Sequence, residues 1–406
     1  MKVSPFAALR PAPGKAAAIA AVPYDVVDTA EARILAAGNP DSFLHVSRPD
    51  IDLPDDTDPC DPIVYETAAK AFAGLQGRGS LVREDQPRFY LYRQVMGAHS
   101  QTGLVACCAV DDYLGNVIRK HEKTRQDKED DRTRHVLALR ANSGPVFLTY
   151  RDSPAIDALA AQALEAAPVY DFTAPDGVRH TVWIVEGCPQ PWIDAFAGIP
   201  AAYVADGHHR SAAAARAGKI LREANPSHTG TEEYNGFMAV IFPASQLNIL
   251  PYNRLVQDLN GLSTQDFLAK AGERFDIRRE DAPGADAPGQ ADMYLAGEWY
   301  RLSWTPDAAD PVGRLDVSVL QQRLLAPVLG IDDPRTDTRI SFLGGVRGNA
   351  ELAARVDSGE AAVAFAMVPV TVAQMMDIAD AGQIMPPKST WFEPKLRSGL
   401  LVHTLD

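Results

Sequence analysis

The segment Tyr203-Val204-Ala205-Asp206-Gly207-His208-His209-Arg210 packs an acid, two imidazoles and a guanidinium into one short stretch. An apolar run ends at Ala205, and an alanine-rich stretch begins at Ser211. That order predicts a strand, a turn at Asp206 and Gly207, and a helix over 211–224 whose first turn holds His208, His209 and Arg210. Gly207 permits a positive φ or a close backbone approach. The first amides of a helix lack intrahelical acceptors, and the helix dipole favours an anion there. Arg210 adds a planar donor fork suited to phosphate. The two histidines can move protons near neutral pH. Together these residues predict a phosphate cradle built without a Walker loop.

Three other segments carry candidate chemistry. In Ile118–His135 the charges of both signs predict a solvated helix over most of 119–139. Its start differs, because Arg119, His121, Glu122 and Thr124 directly follow an apolar region and a Gly-Asn turn. Glu122 is a candidate general base or metal ligand, with His121 beside it. There is no H-E-x-x-H spacing, so this is not a zincin helix. In 382–400, Gly382 and Lys388-Ser389 imitate the end of a Walker loop, but Pro387 replaces the second glycine and has no N–H to offer. The group Lys388, Ser389, Thr390, Lys395 and Arg397 still predicts a loop that closes over phosphate. Tyr24 and Asp25 follow a proline, and Asp25 could bind a substrate amine, a metal or a helix end. Arg254, in NILPYNRLV, is either an anion contact or half of a buried structural pair.

Alternating short apolar runs and alanine-rich stretches must position these groups, and they predict an α/β or α+β fold with mixed sheets and flanking helices. Expected strands are 88–96 and 102–112 as a hairpin, 145–150, 168–174, 179–186, 201–205 and 237–243. Expected helices are 29–38, 62–75, 154–165 and 316–327. The tract 49–62 reads as an exposed acidic, proline-rich loop. The Ala/Pro/Gly/Asp tract 280–292 reads as a flexible loop or boundary. Three lobes are expected: 1–150, 151–280 with the phosphate box, and 293–406. Trp183, Trp192, Trp299 and Trp304 fit core or strand positions.

Composition narrows the function classes. With 46% hydrophobic and 23% charged residues, the 406-residue chain is an ordinary globular one. Its 53 acidic against 39 basic residues give a net charge of −14, which argues against general nucleic-acid or anionic-membrane binding. No apolar run is long enough for a transmembrane helix, and the N-terminal alanine stretch is a poor signal peptide. A soluble, cytoplasmic protein is expected. Cys60, Cys107, Cys108 and Cys188 form no C-x-x-C pair and no disulfide framework. An apolar edge strand or the 316–327 helix offers a homodimer surface.

The segments PYDVV, RKHEKT, ADGHHR and PPKSTWFEPKLRSGL, in this order, resemble the bacterial and archaeal proteins grouped as domain of unknown function 1015. That family is similar to free serine kinases. The strand–turn–helix around DGHHR also resembles the phosphate-binding box of the ParB/sulfiredoxin-like superfamily. The resemblance implies phosphoryl transfer from ATP or ADP to the hydroxyl of L-serine, with Mg²⁺ bridging the phosphates. It implies that Asp206, Gly207, His208, His209 and Arg210 hold nucleotide, with Lys388, Ser389, Thr390, Lys395 and Arg397 neutralising charge. Glu122 is then the first candidate for the base and for the metal, with His121, Asp25 and His209 as further catalytic candidates. Tyr24, Asp25 and Arg254 would bind the amino acid. Two other readings use the same residues: a metal-dependent phosphohydrolase with His121, His208 and His209 as ligands, and a non-enzymatic ParB-like nucleotide switch.

Overall fold

The computed structural model describes residues 1–306 and 310–406. Two compact units form: Met1–Leu247 together with Pro394–Asp406, and Asn248–Glu393. This differs from the three expected lobes. A boundary at 150 would cut through one sheet, because Val146–Tyr150 lies between Ala202–Asp206 and Gly236–Pro243. The low-complexity tract is no boundary either. It joins two strands of one sheet, and Asp292 pins it by accepting from the Gly284 and Ala285 amides at 2.6 and 2.7 Å.

The first unit is built on a nine-stranded mixed sheet. Its order is Ile118–Arg119, Ala202–Asp206, Val146–Tyr150, Gly236–Pro243, His99–Ala109, Tyr90–Met96, Arg179–Ile184 and Tyr170–Thr173, with Val3–Ser4 added beside His99–Ala109. The expected hairpin is present, closed through Gly97 in the left-handed region (φ 58°). The central strands are buried on both faces, which is why they read as continuous apolar runs. Phe89, Leu104, Cys108, Leu148, Trp183 and Trp192 belong to the core on one side. The expected strand 102–112 stops at Ala109, where a short helix, Val110–Leu114, begins.

Two features of this sheet aim the candidate residues. Pairing of Ala202–Asp206 with Val146–Tyr150 is irregular between Val204 and Asp206, so the strand carries an extra residue just before its end. Such a bulge redirects the side chains that follow it. The helix His208–Ala224 then packs its small residues inward, with Ala213, Ala217 and Ser211 fully buried. A Cβ on Gly218 would stand 2.5 Å from the Tyr234 carbonyl oxygen, so only glycine permits that approach. The neighbouring helix runs from Gln126 to Leu139 and not from 119. Residues Ile118 and Arg119 are instead a short strand parallel to Ala202 and Tyr203, and 120–125 is a connection.

The second unit carries a six-stranded antiparallel sheet in the order Asp276–Glu280, Glu298–Ser303, Gln290–Leu295, Val363–Met367, Tyr252–Val256 and Ile340–Gly344. Leu255, Tyr294, Leu343, Leu352 and Ala364 form its core. The expected 316–327 helix is present as Asp316–Leu320 followed by a wider turn to Leu325.

Candidate functional site

The bulged strand delivers Asp206 to the turn, and Gly207 takes φ 93°. The helix opens with no side-chain cap, and its first backbone bond runs from the Ser211 amide to the Gly207 carbonyl. The amides of His208, His209 and Arg210 therefore have no acceptor inside the helix. Open first-turn amides of this kind favour an anion.

Arg210 does not point outward as a phosphate fork. Its guanidinium folds back over Gly207, where a Cβ would stand 2.9 Å from Nε. Nη2 donates to Asp206 Oδ2 at 2.7 Å, and Nη1 donates to the Pro145 carbonyl. Lys395 Nζ lies 3.5 Å from the other Asp206 oxygen. Burial would raise the Asp206 pKa, but the Lys395 and Arg210 cations overcome it and hold the carboxyl well below its usual range. The three charges thus form a fixed base under the turn.

His208 and His121 meet edge to face, with ring centroids 4.5 Å apart. Both are buried, at 5% and 2% exposure. His208 Nε2 and both ring nitrogens of His121 lack hydrogen-bond partners among the described residues. Burial lowers the His121 pKa to about 4, with Asp206 opposing. Burial also drives His208 well below the usual value, helped by His121. Both rings are therefore neutral at pH 7. Below pH 6.5 the unfolded chain takes up protons that the folded His121 refuses. Folding thus loses free energy as pH falls, until the folded ring protonates near pH 4. His121→Phe should remove one proton's worth of this acid sensitivity, about 3 kcal/mol in total over that window. Denaturant midpoints measured from pH 7 to 4 check it, and an unchanged slope would show that the ring is solvated.

Glu122 is next in the chain, half exposed at 48%, with Oε2 3.8 Å from His208 Nδ1. One donor atom from each of His121, Glu122 and His208 lies within 4.8 Å of the other two. This group differs from the expected histidine trio, because His209 Nε2 accepts instead from the Arg125 amide at 3.1 Å. Burial lowers the His209 pKa while Asp25 opposes. Magnesium prefers oxygen, so Glu122 is the one member of this group that suits it.

Tyr24 and Asp25 are also brought here. Both interact electrostatically with Arg210, and Arg132 lies over the Tyr24 ring at 4.2 Å. Burial pushes the Tyr24 hydroxyl up to about 12. Asp25 is exposed. A cavity of about 40 Å³ adjoins them, lined by Tyr24, Arg132, Ser143, Gly144, Arg210 and Ser398. That holds a few water molecules. Sequence reasoning missed Ser143, Gly144 and Ser398. The one available signal was the Ser-Gly-Pro punctuation before Val146.

The expected loop 388–397 is divided. Lys395 reaches Asp206, but Arg397 is buried in an ion pair with Asp176. Lys388, Ser389 and Thr390 belong to the second unit. There Ser389 Oγ donates to the Pro386 carbonyl at 2.7 Å, and Lys388 Nζ lies 5.4 Å from the centre of the Tyr252 ring. Arg254 is buried in the same unit and donates to the Tyr252 and Lys388 carbonyls. Burial lowers its pKa to about 10.

No helix among the described residues is long and apolar enough to cross a membrane. No curated protein matches the sequence. Several solved structures align with 73% of the chain. Among them are a free serine kinase variant in complex with ADP (12% identity, 92% of that chain, TM-score 0.37), C-terminally truncated SbnI from Staphylococcus aureus (12%, 86%, 0.39) and a conserved hypothetical protein from Pyrococcus furiosus (12%, 94%, 0.36). The family described as protein of unknown function, DUF1015, matches residues 3–318. That span takes in the PYDVV, RKHEKT and ADGHHR segments, and the chain belongs to the DUF1015 family.

Proposed function

We propose that this protein is a nucleotide-dependent phosphotransferase whose acceptor is the hydroxyl of free L-serine. The observation that carries the reading is the Glu122 carboxylate beside an uncapped helix N-terminus, 3.8 Å from a buried neutral histidine on its first turn. Phosphoryl transfer asks for positioning and charge neutralisation more than for covalent chemistry. The amides of His208, His209 and Arg210 would hold phosphate oxygens, and His208 Nε2 supplies an unpartnered polar atom there. Asp206, Arg210 and Lys395 keep the turn rigid. Mg²⁺, when bound, neutralises phosphate charge, and Glu122 is the residue fitted to hold it directly or through water.

In the reacting complex, Glu122 would accept the proton of the serine hydroxyl. The hydroxyl oxygen forms its bond to the terminal phosphorus of ATP or ADP, and the bond from that phosphorus to the bridging oxygen breaks. ADP or AMP leaves. Asp25 would hold the amino group of the substrate, with Tyr24 beside it. Phosphorus NMR of the protein with Mg²⁺, L-serine and either nucleotide tests this. The expected result is a new phosphomonoester signal that co-migrates with O-phosphoserine. Intact nucleotide that also fails to shift the melting temperature would overturn it.

The clustered ligand atoms of His121, Glu122 and His208 favour one second reading, a metal-dependent phosphohydrolase. Phosphate release without serine, restored by a transition metal after chelation, would identify it.

A further inference from the structure

A second group of metal-ligating side chains lies outside this site, in the same unit. Cys107 comes from His99–Ala109, Glu233 opens the short turn Glu233–Asn235, and His403 lies on a two-residue strand paired with Ala141–Asn142. One donor atom from each lies within 4.8 Å of the other two.

The surroundings of His403 point to a cation. Its Nδ1 lies 3.2 Å from Asn142 Oδ1, and its Nε2 lies 2.8 Å from Glu233 Oε2. The Asn142 oxygen also accepts from the Met238 amide at 3.2 Å, which fixes the orientation of the side-chain amide. Both ring nitrogens therefore face oxygen acceptors. A neutral imidazole carries one N–H, so the second contact needs a second proton or a metal ion in its place. A ligating histidine characteristically donates its other N–H to a carbonyl or carboxylate, and Asn142 supplies that partner.

Cys107 completes the argument. The residue is 4% exposed, so its thiol sits inside the protein beside the other two donors. Gly236 keeps the adjoining space open, because a Cβ there would stand 3.1 Å from Cys107 Cβ. Glu233 is 42% exposed, which gives an entry path and room for a water ligand.

We propose that Cys107, Glu233 and His403 bind a zinc-class divalent cation, with water as the fourth ligand. Thiolate, imidazole and carboxylate are the donors such an ion takes in tetrahedral sites. Binding forms one bond each to Sγ, Nε2 and a carboxylate oxygen, and the thiol proton leaves to solvent. The ligands are far apart in sequence, so the ion clips the C-terminal segment, which also carries Lys395, to the sheet. The proposal is independent of the phosphotransferase reading.

The test is Co²⁺ titration of the chelator-treated, full-length protein. One equivalent should give a thiolate-to-cobalt charge-transfer band with intense tetrahedral d–d bands, both bleached by Zn²⁺. Cys107→Ser should lose the charge-transfer band, and His403→Gln should lose the intense d–d bands. Cys108→Ser, on the neighbouring residue, and His208→Asn, in the other cluster, should keep both. Absence of the band in the wild type, or its survival in Cys107→Ser, would overturn the site. If Cys107→Ser does not fold, the His403→Gln result decides.

Discussion

Glu122→Gln should lower the rate of O-phosphoserine formation by about 10²–10⁴-fold while nucleotide affinity measured without Mg²⁺ stays close to wild type. Glutamine keeps the shape and length of glutamate but cannot take a proton from a hydroxyl. The fold should tolerate the change. Glu122 is half exposed, and substitutions at such positions usually change stability little. The helix amides that would hold phosphate belong to His208, His209 and Arg210, so the variant leaves them in place. The measurement is therefore a split: kcat for serine against Kd for nucleotide by calorimetry. A fall in kcat together with metal-free nucleotide affinity would make Glu122 a structural residue. Full activity in Glu122→Gln, with loss in Asp25→Asn, would move the base to Asp25.

The sequence reveals the site better than it reveals the architecture around it. The strand, turn and helix at Asp206–Gly207–His208 follow from local signals: an apolar run, a glycine and an alanine-rich stretch. The direction of Arg210 does not. It depends on the positive φ of Gly207 and on the Pro145 carbonyl, which lies on a different strand connection. The connection 120–125 reads as helix because its charges satisfy helical spacing. Its true course is set by the pairing of Ile118 and Arg119 with Ala202 and Tyr203, a contact more than eighty residues away in sequence. Helical spacing is a weak preference that such tertiary pairing overrides.

Unit boundaries are the least legible feature. Pro394–Asp406 returns to the first unit, where His403 pairs with Asn142 and Ala21 bonds with Ser398. Nothing local in the KSTWFEPKLRSGL run marks the change of unit at Glu393. The low-complexity tract looks like a linker because alanine, proline and glycine carry no burial signal, yet Asp292 gathers it onto its own sheet. Cys107 and Cys108 read as two faces of one strand, and both faces are buried. What distinguishes Cys107 is its remote neighbours Glu233 and His403, which no spacing rule connects.

Arg210→Met should destabilise the protein by about 3–5 kcal/mol, because it strips one partner from a buried ionic network. The Arg210 side chain is 11% exposed. Methionine matches much of its volume but leaves the Pro145 carbonyl unpaired and Asp206 with only Lys395, at 3.5 Å. Lysine should rescue poorly, since an ammonium on a flexible stem does not reproduce the planar fork that reaches Asp206 and Pro145 at once. The control is a double-mutant cycle. Asp206→Asn removes the charge that Arg210 balances, so Asp206→Asn with Arg210→Met should be less destabilised than the two single losses added together. Chemical denaturation gives the four stabilities, and nucleotide affinity measured on the same set gives a second readout. Arg210 supports the turn from beneath, so affinity should fall with the distortion of the turn and recover partly in the double variant. A single-variant loss below about 1 kcal/mol, the range of exposed ion pairs, would mean that the network is solvated and that the guanidinium is free to face a ligand.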